Sequence, residues 1–358
     1  MQIVEFVAGL ALVAMILFDV FQSVVLPRPT PVIYRLSAGL VWGLWALCRR
    51  TALRLHSAGP REQLLGTFAP FVVVLLLLLW AAGLVVGYGL MLYALADQIH
   101  PRPENLGTAL YFSGTSMLTI GFGDLAPTGG LARAIVLVAA ANGLAVVALV
   151  ITFLFTLFGS FQRREILVIT LSARAGGPPS GVTLLETYAK YEMLGDLPKV
   201  FADWEVWAAE VLDSHLSYPI LAYFRSTHDN QSWISALGAV LDAATLILTT
   251  VEDGPRGPAL LMHKVGTHLV EDLAQYFGLD GTQSAYVERA EYEMARERLG
   301  AAGFRLSDAD ISWEAFSLRR ATYAARLNSM ARLWVTPPAQ WIGDRSYMRP
   351  HGKGVVHQ

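Results

Sequence analysis

The residues with chemistry to offer stand together in Thr119-Ile120-Gly121-Phe122-Gly123-Asp124. Glycine at alternating positions admits left-handed backbone, so successive carbonyls can face the same side of the chain. A ring of such carbonyls can replace the hydration shell of a monovalent cation. In any other role these residues are costly: glycine weakens a helix, and an acid in apolar surroundings loses its hydration. The flanking elements must therefore frame a water-filled path, since non-helical backbone at membrane depth is tolerated where it lines one.

Those flanking elements are apolar. The chain has 358 residues, of which 54% are hydrophobic and only 16% charged, against about a quarter charged in a soluble domain. Gly66–Ala96 and Ala134–Gln162 carry no charge, and each exceeds the ~20 residues that cross a hydrocarbon core. Between them, Asn105–Leu118 predicts a helix too short to span, running directly into the glycine stretch. Phe6–Leu26, interrupted only by Asp19 and Gln22, predicts another span. It lacks the basic leader and small-residue cleavage site of a signal peptide. Leu36–Cys48 is a short apolar run among Arg28, Arg35, Arg49, Arg50 and Arg54. That fits an amphipathic helix at the interface, with a fourth span as the alternative for residues 31–48.

With these helices around it, Thr119–Asp124 resembles the signature of potassium channels, usually T-V-G-Y-G-D. The resemblance covers roughly Gly66–Arg164 and is to the two-helix pore module of prokaryotic potassium channels of the ion-channel-2 type: outer helix, pore helix, filter and inner helix. It implies that K+ is held by the carbonyls of Thr119, Ile120, Gly121 and Phe122 and by the Thr119 hydroxyl. Gly121 and Gly123 would supply the backbone geometry, and Asp124 would stand at the outer mouth behind the filter. Leu118 occupies a filter-support position where the family often has a hydroxyl, Phe122 replaces the usual tyrosine, and Tyr111-Phe112 replaces a tryptophan pair. Gly143 matches the gating-hinge glycine, with close helix packing as the alternative. Its neighbour Asn142 is expected at the cavity or in a bond to another helix. The end of the pore helix, around Met117 and Leu118, would aim partial negative charge at the cavity. The cytoplasmic narrowing is expected near Thr156–Gly159. One filter copy per chain implies a homotetramer in contact with lipid, with K+ as permeant ion and no cofactor.

Basic residues near span ends set orientation. Arg49, Arg50, Arg54 and Arg61 precede one span and Arg163 and Arg164 follow the other, which places both of those ends in the cytoplasm. The expected location is the cell membrane, multi-pass, with the C-terminal half cytoplasmic. An intramembrane acid is a functional candidate by default. Asp19 is expected to pair with Arg28 or Arg35, with proton sensing as the alternative.

Beyond residue 164 charge rises to soluble frequency, and the first lysine is Lys190. The expected divisions are 1–65 for the N-terminal helices, 66–164 for the pore and 165–358 for an α-helical cytoplasmic domain. Ala173–Gly181 reads as a linker. Thr183-Leu-Leu-Glu186 has capping-box spacing, with Glu186 facing Lys190 at i, i+4. Periodicity predicts helices over Phe201–Leu212, Trp233–Thr250, Ala259–Phe277, Ala285–Leu299 and Asp308–Trp334, with Pro219 marking a kink or break. Ile166–Leu171 is a strand candidate or a continuation of the preceding helix. The apolar stripe of Trp233–Thr250 is expected between subunits, with the membrane surface as the alternative. His215, His228, His263, His268, Asp242 and Glu271 offer ligand chemistry, but their spacing matches no metal motif. Core histidines are the expected role, with a ligand or proton sensor as the alternative.

The expected fold class is an all-α membrane protein. A net charge of −2 argues against nucleic-acid binding, and the single Cys48 excludes an internal disulfide. No nucleophile–base set, phosphate loop or carboxylate pair supports an enzyme. No span carries regularly spaced arginines, so a voltage sensor is not expected, and no G-x-G-x-x-G after a strand offers a nucleotide site. Alternatives to a potassium channel are a non-selective monovalent cation channel, a membrane-tethered receptor with a vestigial pore, and a transporter subunit. The last usually carries several filter repeats. A cytoplasmic ligand is left open.

Overall fold

Long uncharged runs become long helices, because backbone in lipid must satisfy its own hydrogen bonds. The computed structural model describes residues 2–26, 36–228, 231–279, 281 and 287–342. Three of its helices are long and apolar enough to cross a membrane. They are α1 (Gln2–Val20, continued by a π-helical turn, Phe21–Val25), α3 (Ala58–Ala94) and α5 (Gly130–Ala175). Two shorter helices accompany them, α2 (Leu36–Arg54) and α4 (Leu106–Met117). The protein is an all-α membrane protein.

One unit takes residues 1–50 and 67–159, the other 51–66 and 160–358. These divisions differ from 1–65, 66–164 and 165–358: the N-terminal helices share a unit with the pore helices. In the first unit, Val13, Ile16 and Val20 of α1 meet Trp80, Leu84 and Tyr88 of α3, Phe112 and Met117 of α4, and Ile135, Ala139 and Val146 of α5. Contact between α1 and α3 is close, since a Cβ on Gly9 would lie 2.5 Å from the Gly87 carbonyl oxygen. Small residues let lipid-embedded helices approach in this way. Short strands β1 (Ile99–His100) and β2 (Ala126–Pro127) pair antiparallel, Ile99 with Pro127 and His100 with Ala126. They join the chain before α4 to the chain after Asp124. Asn105 Oδ1 accepts from Thr108 N (3.0 Å) at the start of α4, and Gln98 Oε1 accepts from Ala132 N (3.2 Å) at the start of α5. Both bonds satisfy donors that a helix start leaves orphaned.

In the second unit α5 continues to Ala175, so Ile166–Leu171 is helix. Then come α6 (Gly181–Lys190), α7 (Leu197–Ser217), a 3-10 turn at Pro219–Tyr223, α8 (Trp233–Thr249), α9 (Arg256–Tyr276), α10 (Arg289–Ala301), α11 (Ala309–Ala321) and α12 (Ala324–Leu333). The helix end at Ser217 answers the break expected from Pro219. The expected capping box at Thr183 gives way to a cap at Ser180, whose Oγ accepts from Thr183 N at 3.2 Å. Glu186 pairs with Arg298 rather than serving that box. The single helix expected over Asp308–Trp334 is two, with Tyr323 buried at the junction and its hydroxyl donating to Asp242 Oδ1 at 2.7 Å. From Trp233 to Leu248 every residue of α8 is buried by its own unit. The stripe expected between subunits is therefore core, as befits a helix apolar all round.

Candidate functional site

Helix α4 leads directly into Thr119–Asp124. Ser113 Oγ donates to the Val85 carbonyl at 2.9 Å and ties α4 to α3. The carbonyls of its last turn have no helical partner, and the residues that follow take them. Leu118 N donates to Gly114 O (2.9 Å), Thr119 N to Ser116 O (3.1 Å) and Ile120 N to Thr115 O (2.8 Å). The chain then leaves the helix with φ of +56° at Thr119, +57° at Gly121 and +82° at Gly123, while Ile120 and Phe122 keep negative φ. A left-handed conformation costs a non-glycine residue roughly 1–2 kcal/mol, and the helix-end hydrogen bonds offset that cost at Thr119. Alternating hand of this kind allows successive carbonyls to face one side. A Cβ at Gly121 or Gly123 would meet nothing within 4 Å, so conformation and not space selects glycine there.

The Phe122 ring is 68% exposed and stacks on Tyr111 with centroids 6.3 Å apart and planes 4° from parallel. Exposed Asp124 faces the Tyr111 hydroxyl. The hydroxyl absent from residue 122 is thus supplied beside the acid by α4. The only sequence signal for this was the aromatic type of Tyr111. Leu118, expected as filter support, projects 58% exposed from the helix end.

On α5, Gly143 lies against the end of α4. A Cβ there would stand 1.9 Å from the Met117 carbonyl oxygen, so that carbonyl abuts the inner helix. Asn142, expected at a cavity or in a bond to another helix, does the second: it donates its side-chain amide to the Tyr88 hydroxyl on α3. The Thr156 hydroxyl donates to the Thr152 carbonyl (2.9 Å) and so returns to its own helix. Leu137, Ala141, Leu144, Ala148, Ile151, Phe155 and Phe158 recur at alternating spacings of four and three, and all are exposed. That period is the seam of helices packing on one another.

Asp19 is 4% exposed. Its Oδ2 accepts from Trp80 Nε1 (2.8 Å), and its Oδ1 accepts from Ser37 N (3.2 Å) and Ser37 Oγ (3.1 Å). Ser37 lies in the first turn of α2, whose positive end favours a carboxylate. Arg28 and Arg35, the expected partners, lie outside the described residues.

In the second unit the ligand-type residues disperse. Asp242 Oδ1 accepts from Arg320 Nε (2.8 Å) as well as from Tyr323. Burial, then the Asp242 charge, hold the Tyr323 phenol well above its usual range. His263 packs edge-on against Tyr323, and burial pushes its imidazole down to about 4. His228 and His268 are exposed, and Glu271 pairs with Arg326 at 3.3 Å. Among the described residues no group of three or more His, Cys, Asp or Glu is arranged to hold a metal ion.

Residues 73–160 match a protein-family model described as an ion channel. The chain is 26% identical over 253 residues to the uncharacterized membrane protein YdjJ of Bacillus subtilis (strain 168), an alignment covering 69% of this chain and 70% of that one. No solved structure matches the chain. Residues 73–160 are accordingly an ion-channel pore module, and the protein is a membrane protein.

Proposed function

We propose that this chain is a potassium-selective channel that assembles as a homotetramer and conducts K+ passively. The carrying observation is the alternation of left-handed Thr119, Gly121 and Gly123 with Ile120 and Phe122 at the end of the capped helix α4. Four copies would surround K+ with the carbonyls of Thr119, Ile120, Gly121 and Phe122, in place of its hydration shell. The exposed seam on α5 supports assembly, because it offers each copy an apolar face for the next. Arginines at 49, 50, 54, 61, 163 and 164 support a cytoplasmic C-terminal unit, which we assign to gating.

The test is the reversal potential of the purified protein in a planar bilayer with K+ on one side and Na+ on the other. A value near the K+ equilibrium potential is expected. One specific feature favours a second reading, a non-selective monovalent cation channel: Phe122 brings no hydroxyl to the filter. Clear current reversing near zero would establish that reading instead.

A further inference from the structure

Helix α5 continues beyond its apolar length into the second unit, where Arg164 is only 2% exposed. Every side of its guanidinium is engaged. Nε and Nη2 donate to Glu165 Oε1 (3.0 and 2.9 Å), Nη2 also to the Phe224 carbonyl (2.8 Å), and Nη1 to the Leu221 carbonyl (2.9 Å). The remaining partner is His215 Nε2, 3.1 Å from Nη1. The Arg164 carbonyl accepts from Trp207 Nε1 at 2.9 Å. Arginine can only donate. His215 Nε2 must therefore be the acceptor, which leaves the ring proton on Nδ1, toward Ser214 Oγ at 3.2 Å.

We infer that His215 is a proton-sensing site that holds the end of α5 through Arg164 when neutral and releases it when protonated. A proton on Nε2 would set donor against donor and cation against cation at the closest contact of a buried group. Around His215, α5 contributes Arg164 and its counterion Glu165, α8 contributes the Trp233 ring at 5.2 Å, and α7 itself contributes Ser214 and the Val211 carbonyl. The turn after α7 adds the Leu221 and Phe224 carbonyls to Arg164. One carboxylate offsets one cation, not two.

Burial, then Arg164, hold the imidazole well below its ordinary 6.5 while the contact stands. Once released, the ring returns to about 6.5. Below that pH the released state binds more protons, so acid favours release by a factor approaching about tenfold per pH unit. Effects on conduction rest on the channel reading above, whereas release itself does not.

Hydrogen exchange of residues 160–168, measured on the full-length protein between pH 7.5 and 5.5 and corrected for intrinsic rates, tests the release. K+ flux from liposomes over the same range tests its consequence. Wild-type protection is expected to fall about fivefold between pH 6.5 and 5.5, with a change in flux in the same window. His215→Gln, whose amide oxygen accepts from Arg164 without titrating, should stay protected throughout. His263→Gln should respond like wild type, and that comparison stands whether or not His215→Gln folds. Protection independent of pH in the wild type, or lost equally in His215→Gln, would overturn the proposal. Loss of protection with unchanged flux would overturn the gating role. Loss of protection in a protein that conducts at no pH would support the sensor and count against the channel reading.

Discussion

Substituting Gly143 by alanine pits helix propensity against packing. In an isolated α5 the change would stabilise by about 1 kcal/mol, since alanine is the better helix former. The tertiary contact reverses that sign. The added Cβ would stand 1.9 Å from the Met117 carbonyl oxygen, 2.7 Å from Met117 Cγ and 2.8 Å from the Met117 carbonyl carbon. A methionine side chain can yield, but this carbonyl belongs to a helix end fixed by the bonds from Leu118, Thr119 and Ile120. Ordinary contact begins at 3.4 Å, so α4 and α5 would have to part by 3.4 − 1.9 = 1.5 Å. Overpacking of a fitted interface costs roughly 1–3 kcal/mol, and backbone against backbone belongs at the upper end. The expected net loss is therefore about 2 kcal/mol. Because Ile120 hangs from Thr115, the same shift displaces Thr119–Gly123, the proposed filter. Thermal unfolding of the full chain, read beside K+ flux, should show both falling. Gly114→Ala is the control: inside α4 its Cβ would meet nothing nearer than Val85 Cγ1 at 3.8 Å, so its stability should rise by about 1 kcal/mol instead of falling. A Gly143→Ala protein as stable as wild type would refute the steric argument. Flux lost with stability intact would point to hinge flexibility as the role of Gly143.

Trp80→Phe removes the indole donor from Asp19 Oδ2 and should cost about 1–3 kcal/mol in thermal unfolding; no measurable change would mean the carboxylate finds another donor. Arg320→Met strands Asp242 without its counter-charge and should destabilise the helical unit by about 3–5 kcal/mol. Adding Asp242→Asn should recover part of that loss, and fully additive losses would show that the pair is not coupled. The depressed His263 titration makes a pH prediction: the unfolded chain binds the extra proton first, so the His263 share of stability is lost as pH drops from about 6.5 to about 4. His263→Gln should make that part of a melting-temperature profile shallower, the remaining slope coming from His215, whose imidazole is also held below its ordinary range; an unaltered profile would remove His263 from the account.

Sequence alone determined the features that depend on local composition. Runs without charge must become membrane helices, a short helix before T-I-G-F-G-D must stop before spanning, and alternate glycines mark where left-handed backbone is admissible. Left-handed Thr119 was not legible that way, because its conformation is held by carbonyls left over at the end of α4. Tertiary structure decided which distant groups meet. Asp19 finds Trp80, Arg164 finds His215 and Asp242 finds Arg320 across long stretches of chain, and no periodicity encodes such pairings. It also decided which apolar faces are spent internally: α8 read as an interface and is core, while the exposed seam of α5 is left for another surface. The reason is physical. Hydrophobic pattern states that a face must leave water, but only the packed arrangement of the other helices states what covers it.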